Sequence, residues 1–564
     1  MNSKIRFSLL VVSMVGISNL VIAQTVEQGR KFYYYTRYKS AKETLEKVLA
    51  SNPNNIDAVY WLGETLLQLK DSAAAEAQYS KALQTNGSAP LLLVGMGHVE
   101  LRKGKASDAR QRFETAISLS KGKDVGVLNA IGSANADIRV GDANYAIEKL
   151  TQATQVKNFN NAETYVIMGD AYRKLVDGGN SVQSYQKALT LDPKFAAAKF
   201  KIGMIYLTQN NKDYFLPAFE EAVTMDPNYG PALYELYFYW YTRDVNKSKD
   251  YLDKYLAVSD ADPSNDYLRT SILFAAKRYD EAISGAKSFI SSQGDKADVR
   301  FYKLAAYSYD AKGDSASAKS YLDQYFAKQK PDDFLPKDYS FRAQVLSKFR
   351  GNDSLVTLNY QLAISKDTAV ANKLDIMKEA ADNAKKAGNK IGYAYWQGQL
   401  YLMNKNPTNT DLYNWGFSNY SAGNYKTADS IFCGIYEAKY PNEIFGFLWC
   451  KNSLFAQDDS LGSKGIAVDA FDKLAAKARE LDSIAKAANS PDSIKYKSQA
   501  VNSYFYLAGY YNNYKKDKAM ALSYLGKVLE LDPENAMARQ YINVLSKPPA
   551  RQQPPARPKP AAGK

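Results

Sequence analysis

Histidine and cysteine are nearly missing from this chain of 564 residues: it holds one His, His98, and two Cys, Cys433 and Cys450. A single imidazole excludes His-rich metal sites and leaves a Ser-His-Asp triad only through His98. That residue directly follows Gly97, with no Cys or carboxylate at ligand spacing beside it, so it reads as a groove or packing residue. There is no C-x-x-C pair. There is no phosphate-binding G-x-x-x-x-G-K-[ST] loop either, since Gly104-Lys105 lacks both the upstream glycine and the following hydroxyl. Few runs alternate apolar and polar residues, which argues against sheet. Beyond Phe7–Ile22, no stretch is apolar and long enough to span a bilayer. No catalytic, cofactor or metal constellation emerges, and the chain is expected not to be an enzyme.

What the chain does have is spacing. Gly29, Gly63, Gly97, Gly132, Gly169 and Gly203 follow one another at steps of 34, 34, 35, 37 and 34 residues. Twelve and sixteen residues after Gly29 stand Ala41 and Leu45; the same offsets give Ala75 and Tyr79, then Ala109 and Phe113. An Ala often recurs further on, at Ala82, Ala116, Ala188 and Ala222, and a Pro closes several units, at Pro53, Pro193 and Pro227. Small residues let two helix axes approach, a large one fills the gap between units, and a Pro cannot continue the helix it follows. A period near 34 with helical patterning predicts stacked antiparallel helix pairs, an all-α solenoid.

This pattern resembles the tetratricopeptide repeat (TPR) family. The resemblance covers about seven units over residues 25–260, with Ala146 shifted, Ser181 in place of Ala, and Tyr237 in place of Gly. It blurs over 264–405, although Tyr279-Asp280-Glu281-Ala282 and Gly313-Asp314-Ser315-Ala316 look like turns into a second helix. It returns at Gly416, Ala428 and Phe432, and again at Gly509, Ala521, Leu525 and Pro533. The expected organisation is a signal peptide at 1–23, a TPR array at 24–263, degenerate TPR-like helical repeats at 264–405, TPR-like repeats at 406–546, and a tail at 547–564.

The two ends read as an address and an arm. Lys4 and Arg6 precede apolar Phe7–Ile22, and Val21-Ile22-Ala23 offers small residues before a cut, the order of a secretory signal peptide. The mature protein is then exported, and in a two-membrane bacterium periplasmic, associated with the outer membrane at its inner face. At the other end Lys547, Arg551, Arg557, Lys559 and Lys564 stand among six prolines with no acid, in a chain of net charge +14. Such a segment is expected to be extended, and it either touches anionic envelope material or merely solubilises. Export leaves nucleic acid a poor partner. Cys433 and Cys450 fall on neighbouring helices, where they either form a disulfide or pack as buried thiols.

In the TPR family the first helix of each pair lines a concave face, at positions −3, +1 and +4 from the repeat glycine. Carried onto this chain, the resemblance implies a groove lined by Tyr33, Tyr60, Phe200, Tyr234, Phe238, Tyr241, Tyr413, Phe417, Tyr420, Tyr506 and Tyr510, with Arg30 in the first unit and Arg173 in the fifth. The densest stretch is Tyr234–Tyr241. Flat rings suit an extended peptide, though with 44 tyrosines many must simply fill space. The carboxylate clamp of chaperone-binding members is absent, because Val26, Arg30, Tyr60 and Glu64 occupy its positions. The expected function is a periplasmic scaffold or adaptor that binds peptide segments of cell-envelope proteins in an outer-membrane biogenesis or secretion assembly. The alternative is a structural protein that grips peptidoglycan or an anionic membrane surface through its basic tail.

Overall fold

A computed structural model describes residues 25–547, and its chain divides into two compact units within the helix Arg300–Ala311, between Ser308 and Tyr309. Successive helices pair antiparallel throughout, and no strand occurs among the described residues. The signal-peptide reading of 1–23 and the tail residues Arg551, Arg557, Lys559 and Lys564 lie outside the described residues; Lys547 ends the last helix, exposed.

In the first unit, several helices begin at a capping side chain and several end just ahead of a proline. Asn55 accepts from the Ala58 amide at the start of Ile56–Gln68, and Asp71 does the same for Ala74 at the start of Ser72–Thr85. Tyr38–Ser51, Gly178–Leu191 and Lys212–Met225 each end two residues before a proline. The repeat glycines are sites of close approach. A Cβ on Gly63 would lie 2.1 Å from Tyr79 Cζ, and one on Gly95 would lie 2.3 Å from the same atom, so Tyr79 is wedged fully buried between two helices that only glycine lets approach.

The ends of this array meet. Tyr35 Oη donates to Asp226 at 2.7 Å, and the Ala197 amide donates to Tyr34 Oη at 3.1 Å. Tyr34 and Tyr35 pack with Phe195, Ala197 and Tyr229. The helix Tyr38–Ser51 has no capping side chain of its own, because Arg37 stands at its N-cap. Asp260 replaces it from 220 residues away, accepting from the Ser40 amide at 3.3 Å and from the Lys39 amide at 2.8 Å. Arg37 pairs with Asp260 at 3.3 Å and Lys39 with Asp262 at 2.6 Å. A carboxylate at a helix N-terminus satisfies orphan amides and complements the dipole. The first and seventh helix pairs are thereby joined, and the superhelix of the first unit closes on itself.

In the second unit the pairs continue through the stretch without repeat glycines. There Tyr360 and Trp396 pack against Ala343, Ala380 and Ala381, so alanine supplies the small surface. At Gly416 the glycine arrangement returns, with Phe432 Cε2 2.6 Å from where a Cβ would stand. Gly509 is different: a Cβ there meets nothing within 4 Å, although the residue keeps the sequence offsets. Its helix, Asp492–Tyr510, runs straight into a π-helical turn at Tyr511–Lys515. A second π-helical segment, Ser430–Tyr436, carries Cys433. Cys433 and Cys450 are joined as a disulfide, with their Cα atoms 4.9 Å apart.

Candidate binding faces

The interior of the closed first unit holds a cavity of about 260 Å³ among the first helices of its early pairs, lined by Arg30, Tyr33, Tyr60, Glu64, Asn129 and Glu163. Arg30 reaches across it to Glu163 at 3.3 Å and lies 4.9 Å over the Trp61 ring. Burial raises the Glu163 carboxyl above its ordinary range, Arg30 pulls it down, and Glu27 pushes it up again. Tyr33 is half-buried and accepts from Gln68 Nε2 at 3.3 Å, while Tyr60 is only 5% exposed.

Behind this cavity sits the one histidine. His98 is buried, its Nδ1 2.9 Å from Glu64 and its Nε2 3.4 Å from Asp137, and Arg102 also pairs with Asp137. Tyr79 Oη donates to the same Glu64 at 3.1 Å. Burial alone would push the imidazole down, but the Glu64 charge and the two carboxylate hydrogen bonds outweigh it and raise the pKa to about 9. Asp137 is desolvated too, yet hydrogen bonds from His98 and Arg139 hold it below the usual carboxylate range. His98 is thus a packing residue, but one that ties three repeats together through charge. Its carboxylates come from the preceding and following repeats, so inspection of the residues beside it in sequence missed them.

The Tyr234–Tyr241 stretch splits. Phe238 is 64% exposed and Tyr234 packs on Tyr255 at 5.3 Å, whereas Tyr241 is tied inward, donating to the Ser271 carbonyl at 2.8 Å. Phe200 is held between Phe219 and Tyr229. Arg173, in the last turn of Ala162–Lys174, is exposed.

The second unit brings three of its predicted rings, Tyr413, Phe417 and Tyr420, into one cluster. Tyr413 and Phe417 stack nearly parallel at 5.7 Å, one turn apart on Asn409–Ser421. Phe417 and Tyr420 both pack on Trp449, at 4.8 and 5.0 Å, and Tyr413 meets Phe445 at 6.0 Å. Phe417 and Phe445 are each 38% exposed, which leaves an aromatic face across two first helices. Phe445 and Trp449 escaped the sequence reading because their helix, Ile444–Phe455, has Cys450 where a repeat glycine would anchor the count. The disulfide at Cys450 fixes the helix next to Trp449. Tyr506 and Tyr510 belong elsewhere: Tyr506 stacks on Phe471 at 3.8 Å, and Tyr510 is 5% exposed, packed over Gly465.

Tetratricopeptide-repeat family models match residues 35–93 and 168–230. A TPR repeat-containing protein of Methanocaldococcus jannaschii is 23% identical over 197 residues, which is 32% of this chain and 34% of that protein, so the chain spans about a third of that relative's length. Among solved structures, the C-terminal part of a TPR repeat-containing protein from Cytophaga hutchinsonii is 24% identical, covering 49% of this chain and 98% of its own, with a TM-score of 0.25. The Cut9–Hcn1 hetero-tetramer structure is 13% identical, covering 92% of this chain and 95% of its own, with a TM-score of 0.30. The glycine–aromatic wedges, the helix pairing and the matched segments agree: the chain is a tetratricopeptide-repeat protein.

Proposed function

We propose that this protein is a non-enzymatic, exported scaffold of the cell envelope that holds an extended peptide segment of a partner protein on the aromatic face of its second unit. TPR repeats imply a protein-protein interaction scaffold, and such repeats bind peptides generally. The observation that carries the finer reading is the Tyr413–Phe417–Trp449–Phe445 cluster, which leaves two phenylalanines 38% exposed. Aromatic anchors dominate the energetics of peptide recognition because they bury large area at small entropy cost. Support for an envelope location comes from the Lys4-to-Ala23 leader pattern.

The test is crosslinking in intact cells, then affinity purification, comparing the natural chain with a Phe417→Ala/Phe445→Ala double variant. A discrete set of envelope proteins captured by the first and lost from the second is the expected result. An unchanged set from both overturns the assignment of this face. The second reading rests on the tail, where five basic residues and no acid follow residue 546. It has the tail grip peptidoglycan or anionic lipid. It predicts binding to isolated wall that weakens steeply with salt and disappears when residues 547–564 are removed.

A further inference from the structure

The Cys433–Cys450 pair has a third member. Glu437 stands four residues after Cys433, and the Gly446 of the facing helix stands four before Cys450. A Cβ on Gly446 would lie 3.2 Å from Glu437 Cγ, so the missing side chain is what lets the carboxylate reach the sulfurs. One ligand atom from each of Cys433, Glu437 and Cys450 lies within 4.8 Å of the others. Glu437 Oε1 is buried and has no hydrogen-bond partner among the described residues. A buried acceptor without a donor is costly, and it calls for a cation or a proton. Burial does raise the Glu437 carboxyl, against the pull of Lys473. Cys433 also lies on the π-helical turn Ser430–Tyr436, a local widening of the kind often kept where a side chain must be aimed.

We propose that Cys433, Cys450 and Glu437 form a thiol-gated site for a soft divalent cation of the zinc class, closed as the disulfide and opened by reduction. Two thiolates and one carboxylate, with a fourth position left to water, match the ligand preference of such a cation, whereas calcium and magnesium take oxygen alone. Opening consumes two electrons from a dithiol. One of its thiolates attacks the partly exposed Cys433 sulfur, and the electron pair of the broken bond leaves on Cys450, which takes up a proton. The second thiol of the reductant then releases Cys433 and departs as a cyclic disulfide. Cation binding displaces the protons of both thiols and of Glu437 to water. The site is separate from the aromatic face in its chemistry and does not depend on that face binding a peptide.

The test uses the full chain, reduced anaerobically with a phosphine that is then removed, and titrated with cobalt(II) followed by zinc. The expected result is one cobalt per chain with thiolate-to-cobalt charge-transfer absorption, displaced by zinc and absent from the oxidised chain. Glu437→Gln, a neutral isostere, is expected to weaken cobalt affinity by about tenfold or more. Cys433→Ser/Cys450→Ser is expected to abolish the charge-transfer band and the saturable binding. Cobalt taken up equally by the double-Ser chain overturns the proposal, as does uptake by reduced chain without the band, or no uptake at all. A reduced chain that loses its far-ultraviolet helical signal overturns it as well, because the three ligands are held together only by the fold. Unchanged affinity in Glu437→Gln removes the carboxylate and with it the site as drawn.

Discussion

Residues 25–308 and 309–547 use the same helix pair, yet each unit restrains it by a different device. The first unit brings its ends together with charge: Asp260 caps a helix from the opposite end of the array, and Arg30, Arg37 and Lys39 find carboxylates far along the chain. The second unit uses a covalent bond over a separation of 17 residues, placed beside the Phe417–Trp449 aromatic cluster. In the first unit Tyr60 is buried and Tyr241 is tied inward by a hydrogen bond, while Phe238 stays 64% exposed. In the second unit Phe417 and Phe445 are each 38% exposed, while Tyr510 is buried. The same aromatic slot therefore becomes core at some repeats of each unit and exposed surface at others, depending on what stands opposite.

Four substitutions or titrations would break or sharpen this contrast. The largest effect is expected at Gly63→Val, which drives atoms into Tyr79 in a wedge that has no room. It should cost about 4 kcal/mol or more and unfold the first unit in a denaturant titration while the second retains its transition. Next comes pH. The folded pKa of His98 lies near 9, above its unfolded value of about 6.5, so its contribution is fully present below pH 6.5 or so and is lost as pH rises through 9. Thermal unfolding of the first unit should weaken over that window by on the order of 3 kcal/mol, and His98→Gln should flatten the dependence. Asp260→Ala removes the borrowed cap and leaves Arg37 unpaired. A loss of about 2 kcal/mol is expected, with carbodiimide crosslinking between Lys39 and Asp262 lost as the ends part. The smallest change is a gain: Gly509→Ala meets open space inside a helix and should stabilise the second unit by up to about 1 kcal/mol, read as a shift in its denaturant midpoint. A loss at Gly509→Ala matching that at Gly63→Val would show that the two glycines do the same work after all.

The helix pairing was legible because a wedge needs a small residue and a large one at a fixed offset, and that demand repeats: Gly63 with Tyr79 and Gly416 with Phe432 are the same contact. The closure was not legible. Asp260 is an ordinary loop acid, and only the three-dimensional path of the array brings it to the amides of Lys39 and Ser40. The turn between paired helices also holds a left-handed residue at nearly regular spacing, at Thr36, Lys70, Gly104, Val176 and Asn210. Five different residue types fill those positions, so backbone geometry repeats there without a chemical signature. The aromatic face was legible by half: Tyr413, Phe417 and Tyr420 follow from Gly416, while Phe445 and Trp449 sit on a helix with no glycine to count from. The His98 network escaped because its partners lie 34 and 39 residues away in sequence, on the stacked neighbours.

The closure of the first unit also bears on how the chain comes to be folded. Most solenoids gain structure from nearest neighbours alone, so a nascent array can settle repeat by repeat as it emerges, and its ends are where it frays. Here the helix Tyr38–Ser51 waits for Asp260, and the Arg37–Asp260 pair spans 223 residues. Of the seven pairs joined in this way, the one synthesised first is thus among the last to be completed. Until the seventh arrives, it presents uncapped amides and the rings of Tyr34 and Tyr35 to whatever is nearby. Such a chain acquires the slow, all-or-none assembly of a globular domain in place of the additive growth of a linear array.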